Sequence, residues 1–577
     1  MRVLPDVVRL DRMFDYSVPD AWHADGRAER LAAGSIVRFS LGGRRMRGWI
    51  TEVGVDPPAG VELQHLERLT GMGPPADVLS LARWAAWRWA GRTVHFLRVA
   101  SPPRVVASPA PARIAAPTPS SGSPERHDDL FSHPSAVTVL RCPPADDCLA
   151  LAGAATRRGD ALIVVPALAH ARRIATDLRR QGVRVALGFD DWAQAAAGAT
   201  VVGTRTAVWM PMPHLAAVVV LDEHSEGLQS EQAPTWHARE VALERARRAG
   251  APAVLVSPVP TLEALEAGEL REVGRAAERD GWPAVDVLDR RLDDPVRGGL
   301  FAEGLRDRLA RARGRVAIVL NRKGRGRLLA CKACGELART TDGRLPMRLV
   351  DDVLVAADGS ERRPVVCAHC GSTVLRNLRI GVTRAREDLA SLTGEPVGEL
   401  TAESDRVGAE RIVVGTEAVL WRLQSVAAVV FLDFDQELLA PRQRASEQAL
   451  ALLARGARLV GGRRGEGRLV VQTRQPDHPV VRAAVLADPS IVADIERRRR
   501  REMDLPPHSA QAVVSGPGAE AFIETLRESA DTAVSIRGSL DGRFLLRAPS
   551  HGPLLDLLAR TPRPAARLRV EVDPLRA

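Results

Sequence analysis

From Val137 to Gln472 the chain repeats one pattern: a short apolar run, a turn, then a longer stretch with helical spacing of its apolar residues. The runs fall at Val137–Leu140, Ala161–Pro166, Arg184–Leu187, Thr200–Val202, Ala217–Leu221 and Val254–Val256. They return at Val316–Leu320, Ile412–Val414, Ala428–Leu432 and Leu469–Gln472. Strands that are apolar throughout need helices on both faces, so the alternation predicts two α/β lobes on parallel sheets, over 135–295 and 296–500.

The second lobe is interrupted by Cys331-Lys-Ala-Cys334-Gly335 and Cys367-Ala-His-Cys370-Gly371. Two such pairs can present four thiolates tetrahedrally, and each following glycine can take the positive φ that turns amides toward sulfur. A zinc ribbon is expected over about 325–380, with Cys331, Cys334, Cys367 and Cys370 holding one zinc ion per chain. Four thiolates leave no open coordination position, so the metal would support structure and perform no hydrolysis. His369, inside the second pair, is expected to be exposed. Four unrelated buried cysteines are the alternative, weakened because only Cys142 and Cys148 lie elsewhere.

The flanks are of different character. Residues 1 to about 70 alternate apolar and polar positions between Pro and Gly turns, as a small β-barrel does. In it, Phe14-Asp15-Tyr16 and the turn Leu41-Gly42-Gly43-Arg44-Arg45-Met46-Arg47 combine a ring that can stack on a base, a carboxylate that can accept from a sugar hydroxyl, and arginines for phosphate. A surface turn with scattered arginines is the plainer reading. Pro75 to Val99 reads as a helical hairpin whose Trp84, Trp87 and Trp89 belong to a core, closing an N-terminal unit over 1–100. A Pro/Ser-rich linker is expected over 101–134. The tail, 501–577, reads as a small α+β domain, preceded by the run Arg497–Arg501, either a solvated helix face or a phosphate track.

The 577 residues suit three to five domains. No apolar stretch of about 18 residues is free of charge, so a cytoplasmic protein without membrane contact is expected, as a monomer. Its net charge of +10 favours a polyanionic partner. All but two of the 81 basic residues are arginine; Lys323 and Lys332 both lie by the cysteine pairs. A phosphate-binding loop needs a lysine directly after its glycine turn, and the first lobe has none to offer.

Further segments carry a family resemblance: Gly203-Thr-Arg-Thr-Ala-Val, Pro234-Thr-Trp-His-Ala-Arg239-Glu, Leu320-Asn321-Arg322-Lys323-Gly324, Val471-Gln472-Thr473 with Pro476, His478 and Pro479, then Pro506-Pro507 and Val572-Asp573-Pro574. In this order, with the N-terminal Phe-Asp-Tyr and the cysteine pairs, the chain resembles the primosomal protein N′ (PriA) family of replication-restart proteins along nearly its whole length. The resemblance implies two RecA-like helicase lobes with an inserted zinc ribbon, and an N-terminal domain that captures the 3′ end of a nascent strand. Phe14, Asp15 and Gly42 would form that pocket, beside Arg44, Arg45 and Arg47.

The chain also departs from this family. Where the family has G-x-T-G-S-G-K-T, it reads Arg141-Cys142-Pro143-Pro144-Ala145-Asp146-Asp147-Cys148, without a glycine nest, a lysine or a hydroxyl for Mg²⁺. The family's D-E-E-H aligns with Leu221-Asp222-Glu223-His224, which leaves Asp222, Glu223 and His224 as a vestigial nucleotide site; an intact acidic motif is the competing reading. Leu459 and Gly462 stand where arginine fingers would be, with Arg458, Arg463 and Arg464 nearby. Four of the family's eight cysteines remain, and its winged module is expected to be replaced by the linker. The expected function is therefore binding of forked or 3′-ended DNA at stalled forks as a primosome assembly platform, without ATP or Mg²⁺ as cofactors and without helicase activity. Other primosome components and single-strand-binding protein are the implied partners. The alternatives are an ATP-dependent 3′–5′ helicase using Glu223 as base, or a zinc-ribbon interaction module with no DNA role.

Overall fold

The computed structural model describes residues 1–577 except 11, 57–59, 109, 111–126, 292, 294–298, 321–328, 335, 337, 342–346, 351–352, 357–359, 378–381, 401–403, 405–406, 530–532, 539–541 and 576–577. Asn321 to Gly324, with Lys323, and Gly335 therefore lie outside the described residues, as does half of the expected linker.

The alternating N-terminal pattern becomes a five-stranded antiparallel sheet of Arg2–Pro5, Phe14–Asp15, Ile36–Leu41, Arg44–Glu52 and Arg68–Gly71, in the spatial order second, first, fourth, third, fifth. Its edges meet where the Ser17 amide donates to Gln64 and the Leu66 amide donates back to Ser17, which curls the sheet into a small barrel. Val3, Tyr16, Val37, Phe39 and Ile50 fill the inside. The hairpin Ala76–Arg88 and Thr93–Ala100 packs beside it, with Trp89 fully in the core and Trp84 and Trp87 against its margin. Beyond it, the Met72 amide donates to Val106 O at 2.7 Å, and Leu130 and Phe131 sit in the first lobe's core. Both described ends of the 101–134 segment are thus packed, because each carries apolar residues that the Pro/Ser composition masks.

The first lobe is a seven-stranded parallel sheet, ordered Glu269–Glu272, Val137–Arg141, Ala253–Ser257, Leu215–Leu221, Asp160–Val164, Thr200–Gly203 and Val185–Leu187. The second is a six-stranded parallel sheet, ordered Ala284–Asp289, Arg468–Thr473, Ala428–Phe431, Val316–Val319, Ile412–Gly415 and Val397–Leu400. These are two RecA-like lobes. Their central strands are those the apolar runs predict; Glu269–Glu272, Val397–Leu400 and Ala284–Asp289 are edge strands, exposed or half-buried, with no apolar run to announce them. Because Ala284–Asp289 pairs with Arg468–Thr473, the chain crosses to the second lobe before residue 284 and not at 295–296.

The inserted segment carries the two-stranded ladder Leu329–Cys331 with Leu375–Asn377 and a three-stranded sheet, Met347–Val350, Val353–Ala356 and Arg362–Pro364. The C-terminal domain is a four-stranded antiparallel sheet with helices Ala519–Ser529 and His551–Arg560. It is fastened to the N-terminal hairpin. Arg88 and His551 both bond the half-buried Asp573, at 2.9 and 2.7 Å, and Trp87 Nε1 donates to Asp556 at 2.7 Å. No described helix is long and apolar enough to cross a membrane.

The arginine run lies on the helix Ser490–Glu502 and departs from both sequence readings at Arg500, which is wholly buried. Arg500 bonds Glu447 of the second lobe, Glu263 of the first at 3.1 Å, and Pro506 O at 3.1 Å. Arg444 also bonds Glu263, and the Leu262 amide donates to Glu447 at 3.3 Å. Glu496 and Arg500 are one helical turn apart on the face that carries buried Val492, so helical periodicity decides their role over composition.

Burial lowers the basicity of His95, His170, His224, His237 and His478, most strongly at His237, where Arg239 adds to it. These rings stay neutral in the folded chain while the unfolded chain takes up protons below about pH 6.5, so stability is lost as pH falls from there. Glu278 and Glu447, raised by burial, act in the opposite sense nearer pH 4.5. Scanning calorimetry is expected to show a midpoint that drops between pH 7 and 5.5, and replacing His237 with Gln should flatten that slope. A midpoint unchanged over this window would refute it.

Candidate functional site

Phe14 and Asp15 form the short edge strand of the N-terminal sheet. The Asp15 carboxylate takes Arg2 Nε at 3.0 Å and Nη2 at 3.2 Å, which fixes its plane and leaves lone pairs on both oxygens for a further donor. Phe14 is half-buried, with the Arg12 guanidinium 5.6 Å from its ring centre. Tyr16 donates to Ser40 O at 2.8 Å, which draws this edge beside the strand that runs into Gly42. Gly42 and Gly43 have φ of +57° and +74°, the two left-handed residues of a tight hairpin turn. Arg45 is paired with Glu67 at 3.2 Å, whereas Arg44 and Arg47 are exposed and have no carboxylate partner among the described residues.

The four cysteines of the insert converge. Cys331 and Cys370 sulfurs are 3.4 Å apart, Cys334 and Cys367 3.6 Å, and all four lie within 4.8 Å of one another. A zinc ion about 2.3 Å from each sulfur sets S–S edges of about 3.8 Å, so the donor set can hold a metal ion of this size and preference. The turn chemistry supports it: Gly371 takes φ +74°, and the Cys334 and Ala333 amides hold the Cys331 thiol down near 6. His369 is exposed and outside the cluster.

The cleft between the lobes is occupied by the protein's own groups. Arg141, at the end of its strand, is tied to Glu278 at 2.6 Å and Glu272 at 2.9 Å. The helix Leu149–Arg157 starts where a phosphate-binding loop would aim free amides at an anion. Here Asp146 accepts from the Cys148 amide at 3.1 Å and Asp147 from the Leu149 amide at 3.2 Å. Those carboxylates occupy the two amides at the helix entry and oppose any added negative charge.

From the opposite lobe, Arg458 of the helix Ala445–Val460 crosses the cleft. Its two terminal nitrogens grip Asp222 at 2.5 and 2.7 Å, and its Nε donates to Pro144 O at 3.2 Å. Burial alone would raise the Asp222 carboxyl; Arg458 outweighs it and holds the group well below the usual carboxylate range. Glu223 is completely buried and accepts from Arg239 Nη1, the Thr261 amide and the Thr261 hydroxyl, each at 2.8 Å. His224 Nδ1 meets Ser257 Oγ at 2.8 Å. Three neighbours in sequence thus have three separate partners.

Leu459 is buried and Gly462 backs onto Asp280 O, where a Cβ would sit at 2.4 Å, so neither position offers a cation. Arg464 pairs with Asp280 at 2.9 Å, outside the cleft. The role of Arg458 escaped the sequence because it stands one residue before the finger position. The buried pattern around it, with Ala454, Ala457 and Leu459 in the core, was the available signal.

A family model described as the 3′ DNA-binding domain matches residues 2–102. Over 623 residues the chain is 30% identical to the probable replication restart protein PriA of Mycobacterium leprae, covering 96% of this chain and 94% of that protein. With the probable replication restart protein PriA of Mycobacterium tuberculosis H37Rv it shares 29% identity over 580 residues, covering 90% and 87%. The replication restart protein PriA of Bacillus subtilis is 27% identical over 346 residues, 55% of this chain and 43% of that protein. Among solved structures, S. cerevisiae Dbp5 bound to RNA and ADP BeF3 overlaps 66% of this chain and 93% of its own, at 12% identity and a TM-score of 0.37, too loose to carry an argument.

Proposed function

The chain belongs to the replication restart protein PriA family, and from that premise we propose that it binds forked or 3′-ended DNA at stalled forks and serves, as a cytoplasmic monomer, as a platform for primosome assembly. It does so without hydrolysing ATP or unwinding DNA. Other primosome components and single-strand-binding protein are its protein partners. Phe14, Asp15 and Gly42 receive the 3′-terminal nucleotide, with Arg44, Arg45 and Arg47 on the phosphates. Cys331, Cys334, Cys367 and Cys370 hold one zinc ion that supports the insert.

The observation that carries the loss of turnover is the Arg458–Asp222 pair across the cleft. A bound triphosphate would have to part it and leave a buried carboxylate unpaired beside added negative charge. The helicase reading needs Glu223 as a base, and a buried carboxylate that already accepts three hydrogen bonds, one of them from a guanidinium, is poorly placed to take a proton from water. The residual motif Asp222, Glu223 and His224 is read as scaffolding inherited from a motor.

Two titrations test this. By fluorescence anisotropy, Phe14→Ala with Asp15→Ala should weaken binding to recessed 3′ ends about tenfold or more, the scale of one lost stacking contact, and leave blunt duplex nearly unchanged. Equal losses on both substrates would refute the pocket. Calorimetry with ATP and Mg²⁺ should give no saturable heat; saturable binding with DNA-stimulated phosphate release would overturn the absence of hydrolysis.

A further inference from the structure

Where the N-terminal barrel, the helical hairpin and the first lobe meet, an open cleft of about 450 Å³ enters the molecule, within the range of small-ligand sites. Arg47 and Asp6 come from the barrel, Arg98 and Val99 from the hairpin, and Phe189 and Thr206 from the first lobe. Its floor is rigid. Trp49 Nε1 donates to Ser101 Oγ at 2.9 Å, Ser101 Oγ donates to Leu97 O at 2.7 Å, and Trp192 Nε1 donates to Ala100 O at 3.1 Å.

The charges are unbalanced in favour of an anion. Arg98 is committed to Asp6, through Nε at 2.5 Å and through Nη2 to the backbone oxygen at 3.0 Å. Arg47 lies 5.8 Å from the Trp49 ring centre and has no carboxylate partner among the described residues, so one cation of the two faces the cleft uncompensated. The remaining wall is apolar, made by Val99, Pro102, Pro103 and the half-buried ring of Phe189. An apolar wall with an aromatic ring, a guanidinium without a carboxylate partner and a hydroxyl at Thr206 fit the base and phosphate of a single nucleotide; two paired strands do not fit this volume.

Strand geometry supplies the path. Alternate residues of Arg44–Glu52 share a face, so Arg45 and Arg47 stand about 7 Å apart on the side where Trp49 turns to the hairpin, a few residues from the Gly42 turn. We infer that this junction is a second single-strand site, which holds a nucleotide inward of the 3′ terminus and leads the strand from the end-binding domain onto the first lobe. The inference rests on the proposal that the chain binds 3′-ended DNA. It adds residues from the hairpin and the first lobe, Phe189 and Thr206 among them, to the interface.

The test uses the full chain and duplexes with 3′ single-stranded tails carrying 4-thiothymidine at successive positions from the terminus. Inward positions are expected to cross-link to peptides containing 98–103 or 189–206, while the terminal position does not. Phe189→Ala, in the first lobe and outside the end pocket, should lower affinity for tails of five nucleotides about tenfold and leave a one-nucleotide tail unaffected, as expected for one lost stacking contact. Cross-links confined to the barrel at every position, or a Phe189→Ala effect equal on both tails, would overturn the junction site while leaving end capture intact. A wild-type chain with no preference for recessed 3′ ends over blunt duplex would sink the functional proposal itself, and the junction site with it.

Discussion

Replacing Cys331 and Cys367 with serine is expected to release one zinc ion per chain and to unfold the insert without melting either lobe. The insert has little else to fold on. Among the described residues its buried apolar cluster is Leu329, Ala338, Met347 and Leu354, whereas both lobes have large cores that include none of these. A structural zinc site contributes about 10–16 kcal/mol in small zinc-binding peptides, more than the roughly 5–10 kcal/mol that burying two leucines, a methionine and an alanine supplies. Metal analysis by mass spectrometry should fall from one zinc to none. Hydrogen exchange should lose protection in the ladder Leu329–Cys331 with Leu375–Asn377 and keep it in Val316–Val319. A doubly substituted chain that retains its metal would remove the ligand assignment; global unfolding would show the insert to be part of the lobe's core.

The lobes were legible because strands buried on both faces must be apolar throughout, and nothing else in a soluble chain produces runs such as Val316–Val319 or Ala428–Phe431. Edge strands escape that requirement. Glu269–Glu272 is exposed along its length, and Ala284–Asp289 half-buried, so only backbone pairing reveals them. The cysteine cluster was legible for a related reason: ligand spacing is a local property of sequence. The cleft was legible only by what it lacks. The missing lysine and glycines could be read off 141–148, but Asp146 and Asp147 capping a helix, Arg458 reaching Asp222, and Arg500 joining Glu263 to Glu447 are contacts between residues far apart in the chain. Composition does not say which of 79 arginines, all but two of the 81 basic residues, turns inward, and helical periodicity, which puts Arg500 on a buried face, does not name the carboxylates it meets.

Arg458→Ala is expected to destabilise the chain by about 2–4 kcal/mol in urea denaturation, because it strands the Asp222 carboxylate, 11% exposed, beside the carbonyl of Pro144. The Arg458 side chain keeps 28% exposure, which holds the figure below that of a fully buried pair. Asp222→Ala alone should cost less, since it leaves a guanidinium that can turn to solvent. The double variant should lie nearer wild type than the two losses combined, because the charges are removed together. The sign with pH is fixed: a carboxyl held below its ordinary value stabilises above about pH 4 and loses that contribution as pH falls toward its folded value. Over pH 5 to 8 the coupling between the two substitutions should therefore be constant. Parting the pair should not create an ATPase. The Cys148 and Leu149 amides stay bonded to Asp146 and Asp147, Glu223 stays bonded to Arg239 and Thr261, and no lysine appears. If Arg458→Ala instead gained DNA-stimulated ATP hydrolysis, the cleft would have to be regarded as a working site held shut by one arginine, and the lost motor as a regulated one.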